Sequence, residues 1–350
     1  MIKPLQTWFA TWRDAEPAQR PRCILLTGEG KAFCAGGDVV TARTSALSGP
    51  GGREHADFFY EEYRLNALIG EMAQPGPNGV DQVSVWDGVT MGGGVGLSIH
   101  GRYRVATEKT VFAMPEGGIG FLPDVGATFA LPRLPVGPEV GLYIALTGAR
   151  LGAADCLWAG IATHAMRAEK LPELREALVR SASTGTSVQA VLDALPSWDG
   201  PSPSSSSLAA NAADLRRIFK LNQPSISSIC TALRETKTPW AEQTLALLDA
   251  RSPTSLALTL RAFQLNARPH VTLFDALVAE YRVVQCLVRD TRSDFFEGVR
   301  AVLVDKDNKP RWNDRVPSAD QIDAYFASPL PDDHLGGDLR PLPTKTRASL

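Results

Sequence analysis

An α/β fold is what this sequence predicts, on two observations. Short apolar runs that stop at glycine alternate with stretches of helical spacing through the first half of the chain. After Ile161 the strand signal all but vanishes while helical periodicity continues. The 350 residues suffice for one large domain or two ordinary ones. A balance of 44% hydrophobic and 21% charged residues is that of a soluble globular chain with a sizeable core.

In order, Leu5 to Asp14 carries Leu5, Trp8, Phe9 and Trp12 at helical spacing. Cys23-Ile-Leu-Leu-Thr27 is a continuous apolar run ending at glycine, the pattern of a buried strand. Ala56 to Met72 reads as a helix with Phe59, Tyr63, Leu65 and Leu68 on or near one face. Gln74 to Asp81, broken by prolines and glycines, reads as an exposed loop. Val83 to Trp86 is a second buried strand, followed directly by a glycine cluster and a helical stretch, Gly94 to His100. Arg104–Ala106 and Val111–Ala113 are further short strands, and Leu171–Leu195 and Leu208–Tyr281 are helical in pattern. The chain thus divides into an α/β core over residues 1–165 and a helical extension over 166–195. A Ser/Pro-rich flexible loop over 196–209, a helical region over 210–325 and a poorly ordered tail over 326–350 complete it.

A net charge of −2 offers no electrostatic reason for a nucleic-acid or membrane partner, and no apolar run approaches bilayer length. The five scattered cysteines show no metal-ligand spacing and suit a reducing intracellular compartment. Met1 to Trp12 is built neither like a signal peptide nor like an Arg/Ser-rich transit segment.

Chemistry concentrates in three segments. Gly28-Glu-Gly-Lys-Ala-Phe-Cys-Ala-Gly-Gly-Asp38 and Gly88-Val-Thr-Met-Gly-Gly-Gly-Val-Gly96 both leave a strand and precede helix-compatible sequence. Taken alone they are equally well two tight turns. Neither has the register of a P-loop or a dinucleotide fingerprint, and Gly96-Leu-Ser-Ile-His100 is not a serine nucleophile elbow. Amides at such turns can still stabilise charge on a carbonyl oxygen. The third segment, Phe112 to Gly126, places Glu116 and Asp124 among apolar residues, where a carboxyl pKa rises towards neutrality and suits proton transfer. The plainer alternative is a pair of loop carboxylates that cap helices or meet an arginine such as Arg133.

The order Lys-Ala-Phe-Cys-Ala-Gly-Gly-Asp, then Gly-Gly-Gly-x-Gly, then Met-Pro-Glu resembles the crotonase superfamily. Glu61-Glu-Tyr-Arg-Leu-Asn66, Phe121-Leu-Pro-Asp-Val-Gly126, Ser252-Pro-Thr-Ser-Leu256 and Phe296 to Lys306 are similar to its 3-hydroxyisobutyryl-CoA hydrolase branch. The likeness covers roughly Leu5 to Trp312. It implies an α/β spiral of ββα units (the crotonase, ClpP-like fold) with a C-terminal helical region, and a strand pair preceding the first residues here. It implies thioester cleavage of 3-hydroxyisobutyryl-CoA or a similar short 3-hydroxyacyl-CoA, as in mitochondrial valine breakdown, or in the cytoplasm if the compartment differs. The amides of Gly37 and Gly93 would hold the thioester oxygen. Glu116 would attack the thioester or activate water, Asp124 would assist as acid or bind the substrate hydroxyl, and Glu62 would line the acyl pocket. Phe33, Cys34, Ala35 and Asp38 would meet coenzyme A. No metal and no cofactor beyond coenzyme A in the substrate is implied; a homo-oligomer is compatible. Hydratases of the superfamily carry a second glutamate three residues after the central glycine of the triplet. That position is Gly96 here, which favours hydrolysis over a hydratase or isomerase; a non-catalytic CoA-binding role is the reading from another class.

Overall fold

The computed structural model describes residues 1–49, 53–76, 79–195, 198, 205–313, 316–327, 330 and 336–344. Seven strands lie among them: β1 (Cys23–Thr27), β2 (Ala32–Cys34), β3 (Asp81–Trp86), β4 (Val89–Met91), β5 (Tyr103–Ala106), β6 (Val111–Ala113) and β7 (His164–Ala165). They form two wholly parallel sheets, β1-β3-β5-β7 and β2-β4-β6. In the first half of the chain the helices are α1 (Ile2–Asp14), α2 (Val39–Leu47), α3 (Glu54–Met72), α4 (Gly93–Gly96), α5 (Ala127–Ala130), α6 (Pro138–Thr147) and α7 (Ala153–Ala159). Odd strand, even strand, then helix is a unit that recurs three times, each turn adding one strand to each sheet. This is the ββα spiral the resemblance implied.

Parallel sheets need both faces covered, and alternation along the strands supplies two apolar faces. Cys23 and Leu25 of β1 point with Val83, Val85 and Val105 towards α8 (Leu171–Thr184) and α9 (Val188–Ala194). Ile24 and Leu26 point the other way, against Phe9 of α1 and Leu65 and Leu68 of α3. The remaining helices are α10 (Ser207–Ala210), α11 (Ala212–Ile218), α12 (Ile226–Thr236), α13 (Pro239–Asp249), α14 (Pro253–Asn266), α15 (Leu273–Arg289), α16 (Asp294–Val299) and α17 (Ala319–Ala327). The largest apolar cluster runs without a break from Phe59, Trp86 and Phe112 into Phe263, Tyr281, Val284 and Phe295. The helical region therefore shares one core with the spiral.

Three features differ from the sequence reading. The glycine cluster at 92–94 does not follow β3 directly; β4 intervenes, and β2 lies inside the segment read as a glycine turn. A three-residue strand shows no periodicity of its own and exists here because β2, β4 and β6 pair with one another across long sequence distances. The Ser-rich loop ends in an anchored cap. Ser206 donates to the half of Asp155 that also receives the Leu208 amide, and Ser206 caps α10. Residues 196, 197 and 199–204 lie outside the described residues. In the tail, Asp338 pairs with Arg282, Leu339 is buried and Gly336 accepts from Arg289, so the described part packs on α15 rather than lying loose.

Candidate active site

The strands of the smaller sheet end side by side. Cys34 of β2 pairs with Thr90 of β4, and Met91 of β4 pairs with Ala113 of β6. The turns leaving those ends must converge, because the carboxyl ends of parallel neighbours open on one crevice. From β2 the chain runs through Gly36 and Gly37 into α2. From β4 it runs through Gly92 and Gly93 into α4, and from β6 through Met114 and Pro115 to Glu116.

The first two turns bring two amides together. A Cβ on Gly93 would lie 3.5 Å from the Gly37 nitrogen. Gly93 opens α4, where helical geometry leaves its N–H without a partner, and among the described residues neither amide has an acceptor in the protein. The turn geometry depends on Gly92, whose φ of 51° with ψ of −123° is open to glycine alone. Two free amides at a helix start form a site for an oxygen that gains negative charge.

Two carboxyls close on these amide turns, and a third, Asp124, lies in electrostatic reach of both. Glu62, on α3, puts Oε1 2.5 Å from where a Gly93 Cβ would stand; Glu116 puts Oε1 3.1 Å from where a Gly92 Cβ would stand. Asp124 accepts a 2.5 Å hydrogen bond from the Tyr63 hydroxyl, one residue along α3 from Glu62. All three are buried, at 7%, 6% and 5% exposure, so no water pool offsets their charge. Burial pushes Glu62 up to about 8, with the Asp124 charge adding to it. Burial pushes Asp124 up to about 7 against the pull of Tyr63. Glu116 is pushed well above the carboxylate range by burial first and by Asp124 second, while Arg251 pulls it down and Glu62 pushes it up. Glu116 Oε2 has no hydrogen-bond partner among the described residues. A buried carboxyl with an open lone pair and a raised pKa is a stronger base than a solvated one and is suited to proton transfer.

Gly37, Gly93 and Glu62 line a cleft of about 670 Å³ between α1, α2 and α3, and Cys34 and Asp38 line it with them. Two acids of its rim are ion-paired, Asp57 by Arg53 and Glu61 by Arg64, and Asp38 accepts from the amide and hydroxyl of Thr41. Asp38 thus serves as the cap of α2. Phe33 packs against the core cluster and does not line the cleft. A larger hollow of about 1430 Å³ lies between β1 and α8, but neither Glu62 nor either free amide lines it, and Glu116 and Asp124 line neither space. Convergent chemistry, not size, marks the site. Arg133 meets neither Glu116 nor Asp124; it donates to the carbonyls of Phe129, Asn266, Arg268 and Val271.

Two contributors escaped the sequence reading. Tyr63 was visible only as an apolar helix position. Arg251, in the turn between α13 and α14, donates Nε and Nη2 to the Thr147 carbonyl, which holds its charge against the Gly117-Gly118 turn beside Glu116. A test follows from their charges. If Glu116 acts as an anion, kcat/KM climbs as pH rises through its raised pKa. Glu62→Gln removes a repelling charge, lowers that pKa and is expected to move the rising limb to lower pH. Arg251→Met removes an attracting charge and is expected to move it to higher pH, both read in pH–rate profiles.

A free amide pair over buried, high-pKa carboxyls, at the carboxyl ends of stacked parallel strands, defines an enzyme that polarises a carbonyl and moves protons beside it. The chain belongs to the enoyl-CoA hydratase/isomerase (crotonase) family, whose sequence pattern matches residues 1–326. It is 45% identical to the mitochondrial 3-hydroxyisobutyryl-CoA hydrolase of Gallus gallus over 317 residues, covering 89% of this chain and 77% of that protein. The enzyme of the same name from Xenopus tropicalis is 42% identical over 335 residues, 94% and 82% of the two chains. The fold matches the crystal structure of a carnitinyl-CoA dehydratase from Mycobacterium thermoresistibile, with a TM-score of 0.79 at 36% identity over 93% and 88% of the chains. Among the described residues no group of His, Cys, Asp or Glu is arranged to hold a metal ion, and no helix is long and apolar enough to cross a membrane.

Proposed function

We propose that this protein hydrolyses short 3-hydroxyacyl-CoA thioesters, 3-hydroxyisobutyryl-CoA foremost, to the free acid and coenzyme A. The observation that carries the reading is Gly96. A hydratase needs a second carboxylate at this point, and the space is filled: a Cβ there would lie 2.6 Å from Val125 Cβ and 2.8 Å from Asn66 Nδ2. Water addition across a double bond asks for two cooperating carboxylates flanking it, whereas thioester hydrolysis asks for a polarised carbonyl and one. The names of the similar vertebrate enzymes support the same activity.

On this reading the thioester oxygen accepts from the Gly37 and Gly93 amides. Glu116 then attacks the carbonyl carbon and expels the thiolate, leaving an anhydride that water hydrolyses to the free acid, or it takes a proton from a water that attacks directly. Asp124, with Tyr63 at its back, stands near neutrality and can hold the substrate hydroxyl or return a proton to the leaving thiolate. Glu62 walls the acyl side of the cleft, and the backbone of Phe33, Cys34 and Ala35 meets coenzyme A. No metal or separate cofactor enters the reaction. The word mitochondrial in the relatives' names supports a mitochondrial location for this chain, and the substrate class supports a role in valine breakdown.

Free-thiol release from 3-hydroxyisobutyryl-CoA, set beside hydration of crotonyl-CoA, tests the assignment. The first is expected at enzymatic rates and the second at background. Hydration without thiol release would replace hydrolase by hydratase.

A further inference from the structure

We propose that Glu280, a buried carboxyl of α15 outside the reacting groups, is a positioning residue of this site. It clamps the Asp124-Val125-Gly126 turn in a backbone shape that its own sequence resists, and so decides where the Asp124 carboxyl stands. The part Asp124 plays in turnover rests on the hydrolase reading; the clamp itself does not.

The turn is strained at a telling place. Val125 has a φ of +52°, which a β-branched side chain avoids because its Cβ crowds the backbone. It is fully buried, so solvent does not excuse the conformation. Such a residue persists only where its surroundings over-determine it. They do so from both sides. Upstream, Val125 O takes a 2.7 Å hydrogen bond from His100 Nε2. A carbonyl only accepts, so Nε2 carries the hydrogen; burial lowers His100 to about 4 and keeps the ring neutral. Downstream, the Gly126 amide donates to Glu280 Oε2 at 2.7 Å, and the Thr128 amide donates to Oε1 at 3.0 Å. The Thr128 hydroxyl donates to the same Oε1, and its lone pair receives Asn266 Nδ2 at 2.7 Å.

Both oxygens of Glu280 are thus spent on the residues immediately after the strained one. A fully buried carboxyl with no cation among these partners is costly. Burial pushes Glu280 up to about 8 against the three hydrogen bonds. The neighbouring residue supports the other end of Asp124: Tyr281 sets its ring edge against Tyr63, with centroids 6.0 Å apart, and Tyr63 donates to Asp124. One helix of the C-terminal region therefore holds Asp124 by its backbone on one side and by its carboxyl on the other.

The test is a double-mutant cycle of Glu280→Gln with Val125→Gly. An amide offers one acceptor where the carboxyl offers two, so Glu280→Gln leaves Gly126 or Thr128 without a partner. Expected is a loss of kcat of roughly 10²-fold per folded molecule with KM little changed, the scale of a misplaced catalytic group. Glycine adopts φ of +52° freely, so in the Val125→Gly background the turn no longer needs its clamp. There the loss on adding Glu280→Gln is expected to shrink to about tenfold or less. Equal losses in both backgrounds, or an unchanged kcat in Glu280→Gln, would overturn the proposal. If Glu280→Gln does not fold, Thr128→Val, which removes one of the three donors, takes its place in the cycle. Hydrogen exchange at the Gly126 and Thr128 amides, expected to quicken in Glu280→Gln and not elsewhere in α3, reads the clamp without substrate. Were the unaltered protein to release no thiol, the hydrolase reading would fall and the exchange data alone would decide the clamp.

Discussion

Glu116→Gln is expected to abolish thiol release from 3-hydroxyisobutyryl-CoA, with kcat falling by about 10³-fold or more while the fold and coenzyme A binding persist. The substitution is nearly isosteric and replaces a carboxyl by an amide that can neither attack nor take a proton. Glu116 sits fully enclosed at the end of β6, with Oε2 unpaired and Oε1 beside Gly92. An amide there loses no hydrogen bond at Oε2, and it sheds the cost of a charge that burial and Asp124 oppose. The variant should therefore melt no lower than the unaltered protein, and the contrast between unchanged stability and lost turnover is what identifies a reacting group. Retained activity in a folded Glu116→Gln variant would move the chemistry to Glu62 or Asp124.

Gly93→Ala is expected to lower kcat by about 10²-fold or more, the scale for losing one donor of such an amide pair. The added methyl would stand 2.5 Å from Glu62 Oε1 and 3.5 Å from the Gly37 nitrogen, inside the space the thioester oxygen would occupy. The atom it strikes hardest is the far end of a side chain, which can swing away, so the fold survives and the amide pair does not. The measurement is kcat against KM for 3-hydroxyisobutyryl-CoA, with the melting temperature as control. A fall in KM affinity alone, at unchanged kcat, would show that the Gly37–Gly93 pair binds substrate without favouring the transition state.

How much of this was legible beforehand varies by residue, for physical reasons. β1 was readable because a five-residue, largely apolar run ended by glycine has few other fates, and β3 was readable from its inner four residues, Val83-Ser-Val-Trp86. β2 and β4 were not, since three residues carry no periodicity and their pairing is non-local. Glu116 and Asp124 stood out as acids among apolar residues, and burial raises both as that setting implies. Tyr63, Arg251 and Glu280 did not stand out. Tyr63 and Glu280 lie on helices and Arg251 in the turn after α13, where each resembles an ordinary core or surface position, and each acts through a partner far away in sequence: Asp124, Gly126 with Thr128, and Thr147.

The sequence by itself determined the α/β class, the positions of the glycine-rich segments and the absence of a second carboxylate at Gly96. All of these are local properties of composition, spacing and residue identity. Only the tertiary structure decided that β2, β4 and β6 lie side by side, which is what makes two distant glycine amides neighbours and sets Glu116 behind them. It also decided that the helical region packs into the same core and sends Glu280 to the Asp124 turn. Those outcomes depend on which buried surfaces and unpaired polar groups meet in space, and no stretch of the chain contains that information alone.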